Sequence, residues 1–226
     1  MELRGKKTLV LGATGNVGHG VAAAVAEAGG TPIVISRDAE RAKSLGELFP
    51  TARVLTGDVS DAADADRLAR EVGDVDHVVV SSGGWWQKGP FVRQPAEEYE
   101  EARRMLLDAQ IHAARVFLPR TSASGSFTII TGVGATLTIP NASMLGIATA
   151  GVLALSRSLR VEQREGARVN EVRIASRVEK QARAGVVPSV DFGRALLKLF
   201  GSSTRGAIIP FQRPESFDPA ARVEER

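Results

Sequence analysis

The chain has 226 residues, 43% of them hydrophobic, which suffices for one α/β domain with a sizeable core. It contains no cysteine, excluding disulfides, thiolate catalysis and cysteine-ligated metal, and 29 basic against 26 acidic residues leave a net charge of only +3. No basic run interleaved with aromatics suggests a nucleic acid partner, and no segment reads as a signal peptide or a membrane span, so a soluble cytoplasmic protein is expected.

The first strand signal, Lys7 to Leu11, runs straight into Gly12-Ala13-Thr14-Gly15-Asn16-Val17-Gly18 and an alanine-rich helix that Gly29-Gly30 closes. Glycines at 12, 15 and 18 allow a tight turn, a close approach to a pyrophosphate and packing of the helix on the sheet, while the helix N-terminus offers unpaired N–H groups to an anion. A second strand, Pro32 to Ser36, ends at Arg37, where dinucleotide-binding folds place an acidic residue for ribose hydroxyls or a basic one for a 2′-phosphate; Arg37 favours NADP(H). The third strand, Arg53 to Thr56, leads to Gly57-Asp58-Val59-Ser60-Asp61, where Asp58 and Val59 are placed for an adenine edge and Ser60 or Asp61 for capping the next helix.

Strand and helix signals keep alternating: His77 to Ser81, a helix over Glu97 to Leu118, Ser126 to Thr131, a helix from about Ala142 to Glu165, Arg168 to Ile174, a helix over Ser189 to Phe200 capped by Ser189, and Gly206 to Pro210. This alternation predicts a single Rossmann-type doubly wound parallel sheet of about seven strands with helices on both faces. It assigns residues 1–213 to one dinucleotide-binding domain and 214–226 to a polar tail, either disordered or covering a neighbouring subunit, whose composition points to disorder. Ligands in such a sheet bind at the carboxyl ends of the strands. Trp85 and Trp86, the only tryptophans, follow the fourth strand and are expected as apolar walls over that cleft, or as packing. His19, His77 and His112 share no spacing that would hold a metal, and His112 is expected to be solvated or at an interface.

From Lys7 to Pro210 the sequence resembles the short-chain dehydrogenase/reductase family. The glycine segment looks like that family's extended or atypical branch, while the later segments follow its common short members. Val79-Val80-Ser81-Ser82-Gly83-Gly84 stands where the family has an Asn-Asn-Ala-Gly turn, so the resemblance implies cofactor contacts from Ser82 and Gly83 beside Gly12, Thr14, Gly15, Asn16, Val17, Gly18 and Arg37. Leu107 to Ile111 matches the helix segment carrying a catalytic Asn, here Gln110, and Ala142 to Leu159 aligns to the active-site helix. In the family a tyrosine transfers the substrate proton, a lysine four residues on lowers its pKa and holds the nicotinamide ribose, and a serine orients the carbonyl. Here the resemblance places Leu145, Thr149 and Gly132 at those positions, and none of the three transfers a proton near neutral pH. The single tyrosine, Tyr99, falls early in a helix; Thr131 and Gln110 are the weaker catalytic candidates. The family's Pro-Gly turn after the sixth strand is Ile174-Ala175, and Ser176 to Val187 is short for a substrate lid.

Three functions remain open on the sequence. One is an enzyme of this fold with non-redox chemistry, a cyclisation, isomerisation or elimination of a bulky apolar substrate held by Trp85, Trp86 and Leu145, with the NADP(H) half retained or vestigial. Another is an NADPH-dependent reductase with an unusual proton donor; the third is a non-catalytic sensor of NADP(H) redox state. The resemblance also implies a homodimer or homotetramer through the two long helices.

Overall fold

The computed structural model describes residues 2–132 and 139–223. In chain order the elements are β1 (Lys7–Leu11), α1 (Asn16–Glu27), β2 (Thr31–Ser36), α2 (Ala39–Leu48), β3 (Arg53–Thr56), α3 (Ala62–Val72) and β4 (Val75–Val80). They continue with α4 (Ala96–Arg103), a π-helical turn Arg104–Asp108, α5 (Ala109–Phe117), β5 (Thr121–Gly132), α6 (Ser143–Glu162) and β6 (Arg168–Ile174). The two-residue strands β7 (Val178–Glu179) and β8 (Val187–Pro188), α7 (Ser189–Phe200) and β9 (Ile208–Phe211) complete the set.

Seven parallel strands form one sheet in the order β3-β2-β1-β4-β5-β6-β9, a Rossmann-type α/β fold as the alternation predicts. Strands buried on both faces need apolar residues at successive positions, and Leu9-Val10-Leu11, Ile33-Val34-Ile35 and Val78-Val79-Val80 supply them. Their pleat sorts the side chains: Val10, Val34 and Val79 pack with Val21 and Val25 of α1 and Phe192 and Leu196 of α7. Leu9, Ile33, Val78 and Val80 meet Leu68 of α3, Phe117 of α5 and Val152 of α6 on the other face. The strand order reverses between β1 and β4, and the crevice opens there at the carboxyl ends.

Gly29 adopts φ 78° and closes α1, its N–H bonding the Ala26 carbonyl, as the Gly-Gly pair implied. Two local expectations change. Ser189 does not cap α7: the cap position is Pro188, Ser189 is the first helical residue, and its Oγ is buried without a partner. The tail is not disordered through residue 223, because an apolar anchor pins it. Phe217 is buried against Phe211, Thr204 Oγ1 donates to the Pro219 carbonyl at 2.7 Å, and the Val223 N–H bonds the Ile208 carbonyl at the sheet edge. The α6 helix, 20 residues long, is by length and composition alone apolar enough to cross a membrane, which the sequence reading passed over; in the fold Met144, Leu145, Ala148 and Val152 bury one side of it.

His77 in β4 stacks on Phe200 at 4.1 Å between centroids and shares a hydrogen bond with Ser126 at 2.9 Å. Burial is the main cause lowering its pKa from the usual 6.5 to about 4; Asp76 opposes this, and Arg168 and Lys6 reinforce it. The unfolded chain therefore takes up a proton near pH 6.5 that the folded one refuses until about pH 4. Stability from the neutral ring is complete above the unfolded value and is lost as pH falls through this window. Between pH 7 and pH 5 the loss is expected to be about 2 kcal/mol. Urea denaturation at both pH values checks it, and His77→Gln should shrink the difference.

Candidate active-site cleft

The glycine loop between β1 and α1 is built for close approach. Gly12 sits at φ 86°, and a Cβ there would lie 2.7 Å from the Ser81 carbonyl oxygen; on Gly18 it would lie 2.4 Å from the Gly12 carbonyl oxygen. The cap position of α1 is Gly15, with no side-chain cap and no acidic residue in the first turn, so the helix N-terminus keeps its N–H groups for another acceptor.

Two confluent cavities open on this loop. The first, about 180 Å³, is lined by Gly12, Thr14 and Gly15 from the loop, Ser36 and Arg37 after β2, Asp58, Val59 and Ser60 after β3, and Ser82 and Gly83 after β4. The second, about 530 Å³, shares Gly12, Gly15, Ser82 and Gly83 and continues past Asn16, Val17, Trp85 and Gln110 to Thr131, Gly132, Leu145 and Thr149. The structure thus brings together nearly all the residues singled out from the sequence. Gly18 and Trp86 are the exceptions. Gly18 is buried beneath the Gly12 carbonyl, where its role is to let α1 approach the loop. Trp86, expected at the pocket wall, is 5% exposed and packs with Ala102, Leu106, Met144 and Leu145 behind the cavity, while Lys88 lies 4.1 Å over its ring.

Trp85, 65% exposed, takes the wall position alone. The two indoles should respond differently to substitution. Trp86→Phe is expected to cost about 1 kcal/mol through lost packing, whereas Trp85→Ala should stay within about 0.5 kcal/mol. Urea denaturation of both variants measures the contrast.

Local hydrogen bonds fix the remaining site residues. Arg37 is exposed on the rim, and its guanidinium has no ion pair among the described residues; the neighbouring Asp38 caps α2 by accepting from the Arg41 N–H at 2.8 Å. Asp58 accepts from the Ser60 N–H (2.9 Å), the Ser60 hydroxyl (2.7 Å) and Arg104 (3.2 Å). Capping of α3 falls to Asp61, which accepts from the Asp64 N–H at 2.8 Å. His112, expected to be solvated or at an interface, instead donates from Nδ1 to the Val59 carbonyl at 3.2 Å and braces the same loop. Gln110, 5% exposed, donates from Nε2 to the Ser82 carbonyl at 2.7 Å, while its Oε1 is buried without a partner. Thr149 turns its hydroxyl back onto the Leu145 carbonyl at 2.6 Å. Tyr99 lies on α4, 42% exposed, outside both cavities.

One group was missed in the sequence. Glu171 of β6 is fully buried and accepts from Thr131 Oγ1 (2.7 Å), Ser156 Oγ (2.9 Å) and Arg173 Nη2 (2.7 Å). Its signal was present: Glu171 and Arg173, two apart in an interior strand, share one face of the sheet, and a charge buried there needs a partner.

Residues 12–193 match the family model described as enoyl-(acyl carrier protein) reductase, which spans most of the chain. The chain belongs to the short-chain dehydrogenase/reductase family. Among curated relatives it is 25% identical over 171 residues to a tropinone reductase homolog of Arabidopsis thaliana, a match covering 71% of this chain and 65% of the plant protein. It is 27% identical over 177 residues to the NADH-dependent enoyl-[acyl-carrier-protein] reductase FabI of Synechocystis, covering 72% of this chain and 69% of that protein. Among solved structures, a short-chain dehydrogenase/reductase family protein superimposes with a TM-score of 0.82 at 23% identity, covering 94% of this chain and 97% of the other. A gluconate 5-dehydrogenase from Burkholderia cenocepacia, in complex with NADP and tartrate, gives 0.80 at 18% identity, covering 93% and 95%. At these identities the structural matches speak to the fold alone. Within the short-chain dehydrogenase/reductase fold, the first cavity lies at the topological switch point, and the second continues from it along β5 and α6.

Proposed function

We propose that the chain is an NADP(H)-binding member of the family whose second cavity carries out a non-redox transformation, a cyclisation, isomerisation or elimination, of a bulky and largely apolar substrate. The residues fit such a cofactor: the Gly12 cradle excludes any side chain, the N-terminus of α1 has no side-chain cap, and Arg37 stands on the rim with no ion pair among the described residues. When bound, that group would supply hydride chemistry.

The observation that carries the reading is the lining beyond the glycine loop. Gly132, Leu145 and Thr149, which the resemblance places at the family's serine, tyrosine and lysine positions, all line the second cavity. Both threonine hydroxyls spend their protons on protein acceptors, Thr131 on Glu171 and Thr149 on Leu145. With no lysine or tyrosine among the described lining residues, the walls offer a substrate no tyrosine–lysine proton relay and act by holding its shape. Positioning of one reactive conformer is worth about 7–11 kcal/mol in favourable intramolecular cases.

Incubating bulky apolar substrates with and without NADPH, while following product by mass and NADPH by absorbance, tests this. Product at unchanged NADPH is the expected result; product that strictly tracks NADPH oxidation overturns it. That second outcome would support a reductase with an unusual donor, a reading favoured by one observation: the Thr131–Glu171 hydrogen bond ends on the cavity surface.

A further inference from the structure

The polar side chains of the second cavity have a common orientation that their residue types do not announce. Thr131 gives its only hydroxyl proton to Glu171 Oε1 at 2.7 Å, the same oxygen that accepts from Arg173 Nη2 at 2.7 Å. Thr149 gives its proton to the Leu145 carbonyl at 2.6 Å, with the Gly146 carbonyl 3.1 Å away as a second acceptor. Gln110 turns its amide nitrogen to the Ser82 carbonyl at 2.7 Å. Flipping the amide would set two oxygens against each other, so Oε1 is the end left over, and among the described residues it is buried without a partner.

We infer that the inner wall formed by Gln110, Thr131 and Thr149 is an acceptor surface, and that the ligand of this cavity presents a hydrogen-bond donor to it: an alicyclic alcohol in preference to the corresponding ketone. The inference deepens the proposed function, since it rests on the second cavity being the substrate site. A buried acceptor without a partner costs about 1–3 kcal/mol, and Gln110 is 5% exposed, so a ligand hydroxyl relieves a penalty that a ligand carbonyl would compound with a second lone pair. The other side-chain donors of this cavity are also committed or peripheral. Ser81 donates to the Leu11 carbonyl at 2.8 Å and Trp85 to Gln87 at 3.1 Å. Ser82 Oγ has no partner but lies where the two cavities join, and Asn16 is exposed on the glycine loop. A carbonyl ligand therefore finds its side-chain donors only on the glycine-loop side.

The probes are 2-decalol and 2-decalone, which share a bicyclic skeleton and differ at one oxygen. Titrated into the full chain with tryptophan fluorescence as readout, the alcohol should bind about tenfold tighter, the equivalent of one net hydrogen bond. Thr131→Val and Gln110→Met should each reduce the alcohol-to-ketone ratio while ketone affinity stays within about twofold. Thr131→Ser, which keeps the hydroxyl and its bond to Glu171, should preserve the ratio. If Thr131→Val fails to fold, Gln110→Met carries the test. Equal binding, a preference for the ketone, saturation by neither probe, or an unchanged ratio in Gln110→Met overturns the inference. Calorimetry with NADPH on the same sample reads the first cavity separately, so absence of cofactor binding beside a retained alcohol preference sinks only the cofactor half of the proposed function.

Discussion

Replacing Arg37 with alanine is expected to weaken NADPH binding by about 10- to 100-fold and to leave NADH binding within about twofold, the difference being one charge-assisted hydrogen bond at about 1.5–3 kcal/mol. The expectation comes from an unfavourable placement. Arg37 stands two residues before the first helical residue of α2, at the positive end of a helix dipole, where a cation is disfavoured. Asp38 spends its side chain on the Arg41 N–H, and Arg37 has no ion pair among the described residues. Ser36 and Ser60 line the same cavity, but each commits its hydroxyl proton, Ser36 to the Asp38 carbonyl at 2.9 Å and Ser60 to Asp58 at 2.7 Å, which leaves Arg37 to recognise a 2′-phosphate. Calorimetric titration of both nucleotides into both proteins decides the matter. Equal losses for NADPH and NADH would mean that Arg37 acts only through general charge, and tighter binding of NADH by the unaltered chain would remove the argument for NADP(H). The second outcome has a precedent in name, since the Synechocystis relative is an NADH-dependent reductase.

Why most of this was legible in the sequence, and some was not, follows from the range of the forces involved. Period and punctuation are local, so Lys7–Leu11, Arg53–Thr56, Arg168–Ile174 and Ser189–Phe200 come out with the boundaries read from the sequence. The cleft followed because parallel topology gathers strand ends whose residues lie far apart in the chain, such as Arg37, Ser82 and Thr131. What was missed depends on partners that only the fold brings into contact. Glu171 and Ser156 are fifteen residues apart and meet because α6 crosses β6. Trp85 and Trp86 are adjacent and equal in composition, yet one faces the cavity and the other the packing between α4, the π-helical turn and α6. The π-helical turn Arg104–Asp108 carries no sequence signal that a helix period would expose; it lies where Leu106 reaches both Trp86 and the cavity wall. The tail was misread because its polar composition hides a single decisive residue, Phe217.

The largest effect on stability is expected from the smallest addition to the chain. Gly20→Ala should destabilise the protein by about 3 kcal/mol or more, the upper end of overpacking costs. A Cβ on Gly20 would lie 1.8 Å from the Ser189 carbonyl oxygen and 2.2 Å from its carbon, both backbone, so no rotamer change can relieve it. The contact is reciprocal, since a Cβ on Gly193 would lie 2.1 Å from the Gly20 carbonyl oxygen. Only separation of α1 from α7 makes room, and that opens the layer in which Val21, Val25, Phe192 and Leu196 are buried. Against this stands the gain in helix propensity on replacing glycine with alanine, about 1 kcal/mol. Packing wins by at least twofold. Gly146→Ala in α6 isolates the propensity term: a Cβ there meets nothing within 4 Å, so the same substitution should stabilise by up to about 1 kcal/mol. Urea denaturation of the two variants reads the opposite signs, and a Gly20→Ala protein as stable as the parent would mean that the helices slide apart at little cost. The consequence extends to the cleft, because α1 carries the glycine loop at its N-terminus and Gly18 is already seated against the Gly12 carbonyl. Whatever fraction of Gly20→Ala folds should therefore also bind NADPH more weakly than the parent, although Gly20 lines neither cavity.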